Sequence, residues 1–223
     1  QLISICDRYN VKSTCFVVGD LAEKKPHIVR KLFEAGHEIA SHGYSHKLVY
    51  SMTPDEFEAD LKKSLNILED ITGAKVKGYR APSWSVNESC IDWYYDILKD
   101  NGLIYSSSVF PGKNFLYGIK NAPQKIHLTN NGLVEFPQAT IIILTKRLGF
   151  AGGVYLRIFP FYFINKLIKT FNKKNKSVFI YAHPYEIESY IPKIKLPLLN
   201  AMIQYYKLKG GAKKLKSLIK ENA

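Results

Sequence analysis

Short apolar runs rich in β-branched residues alternate along this chain with stretches of helical period, and that alternation restricts the fold more than any other feature. Ser13–Val18 (Ser-Thr-Cys-Phe-Val-Val) reads as a strand buried on both faces and ended by Gly19. Pro26–Ala35 reads as a helix, with Pro near its start and Gly36 just past its end. Glu38–Ser41 is the next strand. Thr53-Pro54-Asp55-Glu56 then opens a long helix with a Thr cap, Pro at the first position and Glu at the third. Its apolar face is Phe57, Leu61, Leu65, Leu68 and Ile71, and Gly73 stops it. Lys77–Ala81, Leu103–Ser107, Val134–Phe136 and Ser177–Ala182 read as further strands, Asn87–Asp100 and Pro160–Asn172 as helices. Doubly buried strands separated by helices predict a parallel α/β sheet or barrel. With no repeat and no Pro/Gly/Ser-rich linker, residues 1–223 are expected to form one domain.

The polar signatures gather at the ends of these strands: Gly19-Asp20, Ser41–His46, Arg80–Ser83 and His183–Glu186. In α/β barrels the C-terminal strand ends are where chemistry is assembled. His42-x-x-x-His46, in a loop that Gly43 and Ser45 favour, puts two imidazoles within reach of one ion, and neutral imidazole is a common zinc ligand. The plainer reading is two polar loop residues beside a strand. Arg80 at the end of a buried strand calls for a carboxylate partner, whether a catalytic base or a structural counter-ion. His183, fixed by Pro184 after an apolar strand, suits a general acid or a hydrogen-bonded rim histidine. Asp20 reads as a helix cap before Leu21–Lys24, or as a substitute metal ligand.

Composition narrows the partners. The net charge of +13 is uneven: residues 1–110 hold 13 Lys/Arg against 15 Asp/Glu, and residues 111–223 hold 19 against 4. The basic C-terminal half suits peripheral contact with a membrane or an anionic glycan, or is a solvated lysine-rich surface. No zinc finger, aromatic RNA-binding strand or basic zipper is present, so nucleic acid is not an expected partner. Cys6, Cys15 and Cys90 are odd in number and lack CxxC spacing, which argues against a disulfide framework and for free thiols in a reducing, cytoplasmic setting. Gln1–Cys6 has no signal-peptide character and reads as the middle of an amphipathic helix, so an upstream strand-and-turn unit is expected.

In order and wording these segments resemble the polysaccharide deacetylase (NodB-homology) family, carbohydrate esterase family four, and within it a subgroup found with exopolysaccharide-biosynthesis loci. The likeness runs through Thr14–Gly19, Gly36–His46, Thr53–Gly73, Gly78–Ser85, Glu135–Thr140, Gly152–Pro160 and Ile180–Glu186. The resemblance implies a distorted (β/α)7 barrel whose first strand lies outside this chain. It implies His42 and His46 as metal ligands, Arg80 as the residue orienting the base, His183 as general acid and Asp96 in their support. Pro82, Trp84 and Tyr185 would line the substrate site. The implied cofactor is a divalent metal, zinc foremost, with cobalt or nickel as alternatives. The implied reaction is hydrolysis of N-acetyl groups on hexosamine units of a glycan. A homo-oligomer is compatible with the sequence. The family's Asp-Asp strand, which brings the third ligand and the base, has no counterpart here. Tyr185 replaces the subgroup's usual Trp, and Ser106 a frequent Asp. Two other readings fit the same residues: a glycan-binding protein with impaired catalysis, and a related hydrolase acting on a non-glycan amide.

Overall fold

The computed structural model describes residues 1–113, 117–188, 195, 197, 201, 205–208 and 210–222. Its contacts divide into two compact units, residues Lys12–Gln138 and residues Gln1–Val11 with Ala139–Ala223.

The Lys12–Gln138 unit is built on a sheet with the order β1-β2-β3-β4-β6-β5. The strands are β1 (Thr14–Val17), β2 (Glu38–Ser41), β3 (Gly78–Tyr79), β4 (Tyr105–Ser106), β5 (His127–Leu128) and β6 (Val134–Glu135). All pairs are parallel except β5–β6. Helices α2 (Gly19–Lys24), α3 (Pro26–Glu34), α4 (Pro54–Thr72) and α5 (Ile91–Asp100) alternate with them. The strand–helix alternation expected from the sequence is therefore present. The sheet is open among the described residues, where closure into a barrel was expected.

Helix α4 starts and stops where its sequence dictates. Thr53 Oγ1 accepts from the Glu56 N–H at 3.2 Å, and Glu56 accepts from the Thr53 N–H at 2.9 Å. Gly73 closes it in the left-handed conformation. Phe57, Leu61, Leu65 and Leu68 bury its apolar face in a core shared with Val17, Ile39, Tyr79, Tyr94 and Leu133.

The second unit contains α1 (Leu2–Arg8), the hairpin β7 (Thr140–Ile143) and β8 (Lys146–Gly149), and helices α6 (Gly153–Ile158), α7 (Phe161–Lys173), α8 (Pro184–Ile187) and α9 (Gly211–Asn222). Phe150, Leu156, Ile164, Ile168 and Leu218 form its core. The strand expected at Ser177–Ala182 is reduced to one parallel bridge, Gly152–Tyr181. Val178, Ile180 and Ala182 still pack on the core, which is why the segment has a strand's composition. A Cβ on Gly152 would lie 2.0 Å from the Tyr181 ring, so only glycine permits this crossing. No helix among the described residues is long and apolar enough to cross a membrane.

Candidate active site

The parallel register places the rim. Val17, Ser41, Tyr79, Ser106 and Glu135 are successive partners across β1, β2, β3, β4 and β6. The next residues of the last four strands are therefore His42, Arg80, Ser107 and Phe136, side by side at the carboxyl edge. Their amides continue the ladder: His42 N–H to Val17, Arg80 to Ser41, Ser107 to Tyr79 and Phe136 to Ser106 carbonyls, at 2.8–3.0 Å.

Side chains then tie the rim laterally. His42 Nδ1 lies 2.6 Å from the Arg80 carbonyl, an acceptor only, so this nitrogen carries the proton and the lone pair of a neutral ring is on Nε2. Arg80 Nε donates to the Ser107 carbonyl at 3.1 Å and its terminal nitrogen to Ser107 Oγ at 2.8 Å. Ser107 Oγ in turn donates to the Phe136 carbonyl at 2.9 Å. The guanidinium lies 4.1 Å over the Phe16 ring and 4.8 Å over the Trp84 ring. Ser83 and Trp84 both hold left-handed backbone conformations, φ 52° and 56°, a strained arrangement that Trp84 packing on Arg80 helps to hold.

The loop Gly43–His46 is pinned by a residue the sequence reading passed over. Asp60, on α4, accepts from the backbone N–H groups of Tyr44 at 2.7 Å and Ser45 at 3.0 Å, and from Ser45 Oγ. Gly43 has φ +73°, and a Cβ there would come within 2.9 Å of Asp60 Oδ2, so the close approach of loop to carboxylate requires glycine. Ser41 Oγ meets Ser64 Oγ at 2.9 Å beneath the loop. Asp60 and Ser64 interrupt the apolar face of α4, a signal legible in the sequence. So held, the His42 and His46 rings stand with centroids 5.1 Å apart, edge to face. The pair fits two positions around one divalent ion. Among the described residues no group of three or more His, Cys, Asp or Glu converges to complete such a site.

Below the rim, buried Glu135 accepts from the Ser108 and Val109 N–H groups at 2.8 and 2.9 Å and from the Tyr95 hydroxyl at 3.3 Å. Burial pushes its pKa up, against the opposing effect of these hydrogen bonds. Ser108 Oγ accepts from the Ala81 N–H at 2.9 Å and from the Tyr94 hydroxyl at 2.6 Å, so Glu135 and the Ser106–Ser108 run brace β3 against β4. Asp96, expected to support catalysis, lies on the exposed side of α5, where it accepts from Asn131 at 3.0 Å. Asp20 sits in the first turn of α2 in an exposed pair with Lys24 at 2.7 Å. Pro82 is buried, and Trp84 is 7% exposed with its ring centroid 4.8 Å from the Arg80 guanidinium carbon.

In the second unit, His183 caps α8. Glu186 accepts from the His183 N–H at 2.9 Å and contacts its Nδ1 at 3.0 Å. The other Glu186 oxygen accepts from Arg157 Nε at 2.8 Å, with Arg157 and Glu186 side chains 1% and 0% exposed. Burial alone would raise the Glu186 pKa. The His183 hydrogen bonds and the Arg157 charge outweigh it and hold the carboxyl below its ordinary range. The His183 ring, 49% exposed, stacks on Tyr185 at 5.2 Å, so the two residues named from the sequence do meet. Glu186 is foreshadowed by the His-Pro-x-Glu capping pattern; Arg157, 29 residues earlier, is not.

Residues 1–103 match the family described as Polysaccharide deacetylase. Residues 107–223 match the family described as Domain of unknown function (DUF3473), more than half of the chain, and the protein belongs to that family. It is 34% identical over 109 residues to a peptidoglycan deacetylase of Helicobacter pylori, covering 49% of this chain and 36% of the relative. It is 35% identical over 93 residues to a peptidoglycan-N-acetylglucosamine deacetylase of Bacillus cereus, covering 42% and 34%. The matches thus span about a third of these relatives' lengths. A Mycobacterium smegmatis protein assigned as a polysaccharide deacetylase superposes with TM-score 0.66 at 22% identity, over 99% of this chain and 68% of that one. An allantoinase does so with TM-score 0.63 at 15% identity, over 98% and 64%. Both likenesses are of fold.

Proposed function

We propose that this protein contributes to the hydrolytic removal of N-acetyl groups from hexosamine units of a glycan, with His42 and His46 as ligands of a divalent metal, zinc foremost. The observation that carries the reading is the pinned imidazole pair: rings 5.1 Å apart, His42 oriented through its Nδ1 by the Arg80 carbonyl and the loop held by Asp60. The relatives named as peptidoglycan deacetylases point to the same chemistry.

His42 and His46 would hold a divalent metal, which would supply Lewis-acid polarisation of the amide carbonyl and activation of water. The residues of this chain do the rest. His42 and His46 present oriented lone pairs. Arg80, clamped by Ser107 and two aromatic rings, sets a fixed positive charge beside them. The leaving amine takes up a proton, and the products are acetate and the free amino sugar; His183, with Nδ1 held by buried Glu186, has the chemistry of a general acid.

The test is acetate release from N-acetylglucosamine oligomers in the presence of zinc, cobalt or nickel. Release that disappears in His42→Ala and His46→Ala supports the assignment. Unchanged zinc affinity in either variant removes the ligand roles. Oligomer binding without acetate release favours the competing reading, a glycan-binding protein with impaired catalysis.

A further inference from the structure

Leu144, at the tip of the β7–β8 hairpin, is the most exposed large apolar side chain among the described residues, and its turn is built against local preference. Ile143 pairs with Lys146, so Leu144 and Thr145 form a two-residue turn, and both hold left-handed backbone conformations, φ 46° and 70°. Such turns strongly favour Asn-Gly. Leucine and β-branched threonine are strained there. The strain is spent on presenting a hydrophobic tip: Leu144 is 89% exposed and Ile142 64% exposed, on a hairpin anchored at its base by Ile141 in the core. Lys146 and Arg147 directly follow the tip.

Charge indicates what the tip meets. Residues 12–138 hold 15 Lys/Arg and 15 Asp/Glu, whereas residues 1–11 and 139–223 hold 17 against 4, so the unit bearing the hairpin carries the whole net charge of +13. An apolar tip followed by cations on a strongly basic body matches the boundary of an anionic bilayer, where acyl chains take the leucine and lipid phosphates face the cations. We propose that this hairpin is a membrane-docking element, Leu144 and Ile142 entering the interface of an anionic membrane. The inference is independent of the deacetylase reading.

The test is sedimentation of the full chain with phosphatidylcholine vesicles, with and without phosphatidylglycerol. Binding is expected only to the anionic vesicles. Leu144→Asp should weaken it roughly tenfold or more, the value of one leucine returned to water. The pair Leu144→Asn with Thr145→Gly relieves the turn, so it should match or exceed the parent in thermal stability and still lose affinity, which separates docking from folding. Leu144→Trp should show a blue-shifted emission on anionic vesicles alone. Absence of binding to the anionic vesicles overturns the proposal. So does binding that Leu144→Asp and Ile142→Asp leave unchanged, since charge alone would then account for it.

Discussion

Each unit buries one glutamate almost completely, and each does so by a different electrostatic solution. In the charge-balanced unit, Glu135 is surrounded by neutral donors, two backbone amides and a tyrosine hydroxyl, and burial leaves its pKa raised. In the basic unit, Glu186 is ion-paired to an equally buried Arg157 and hydrogen-bonded to His183, and its pKa is lowered. The first arrangement needs an acceptor; the second needs a charge. That difference teaches which residue a neutral substitute can replace. At Glu135 an amide can keep Oε1 as the acceptor of both backbone N–H groups, while its NH2 donates to the Tyr95 hydroxyl, which can turn to accept. At Glu186 it would remove the negative charge that the buried Arg157 guanidinium faces.

Arg157→Met breaks the comparison most sharply. It leaves Glu186 buried without its cation and should cost about 3–5 kcal/mol in urea denaturation. Asp60→Asn is next: one amide oxygen cannot serve the three donors that the carboxylate serves, at about 1–3 kcal/mol. Because Asp60 orients the His42–His46 loop, zinc affinity measured by calorimetry should fall about 10–100-fold as well. The paired change Leu144→Asn and Thr145→Gly should stabilise the protein by about 1 kcal/mol in thermal melting.

Glu135→Gln should alter stability least, within about 1 kcal/mol at neutral pH, and its pH dependence sharpens the contrast. The folded pKa of Glu135 is raised, so its contribution is full below the unfolded value of about 4.3 and is lost as pH rises through the folded value. The stability of Glu135→Gln relative to the parent should therefore increase with pH. The folded pKa of Glu186 is depressed, so its contribution is present above about 4.3 and disappears as pH falls through the folded value. Glu186→Gln should be most damaging at neutral pH and converge on the parent in acid. Denaturation midpoints across that range decide both, and matching slopes for the two variants would dissolve the contrast.

Much of the fold was legible because its signals are local. The Thr53–Glu56 capping box, Pro54 and Gly73 bound α4 within a few residues of chain, and β2 appears at Glu38–Ser41 as read. His42 and Arg80 were legible as rim residues because each directly follows a strand, and His46 because it shares the loop that His42 opens. Asp96, assigned to the site from the resemblance, sits on the exposed side of α5 and meets Asn131, while the buried face of that helix belongs to Tyr94 and Leu98. Ser177–Ala182 has the apolar run of a strand but, among the described residues, one bridging neighbour, and ladder formation depends on a partner that composition cannot supply.

By itself the sequence determined the strand–helix alternation, the capped ends of α4, the concentration of positive charge in the C-terminal half and the two histidines at a strand's end. These follow from side-chain period, backbone preference and charge, all properties of neighbouring residues. The tertiary structure alone decided that His42 binds the Arg80 carbonyl, that Asp60 pins the histidine loop and that Arg157 reaches Glu186. Those partners lie 38, 16 and 29 residues apart. Parallel register and helix packing bring them together, and no local preference encodes either.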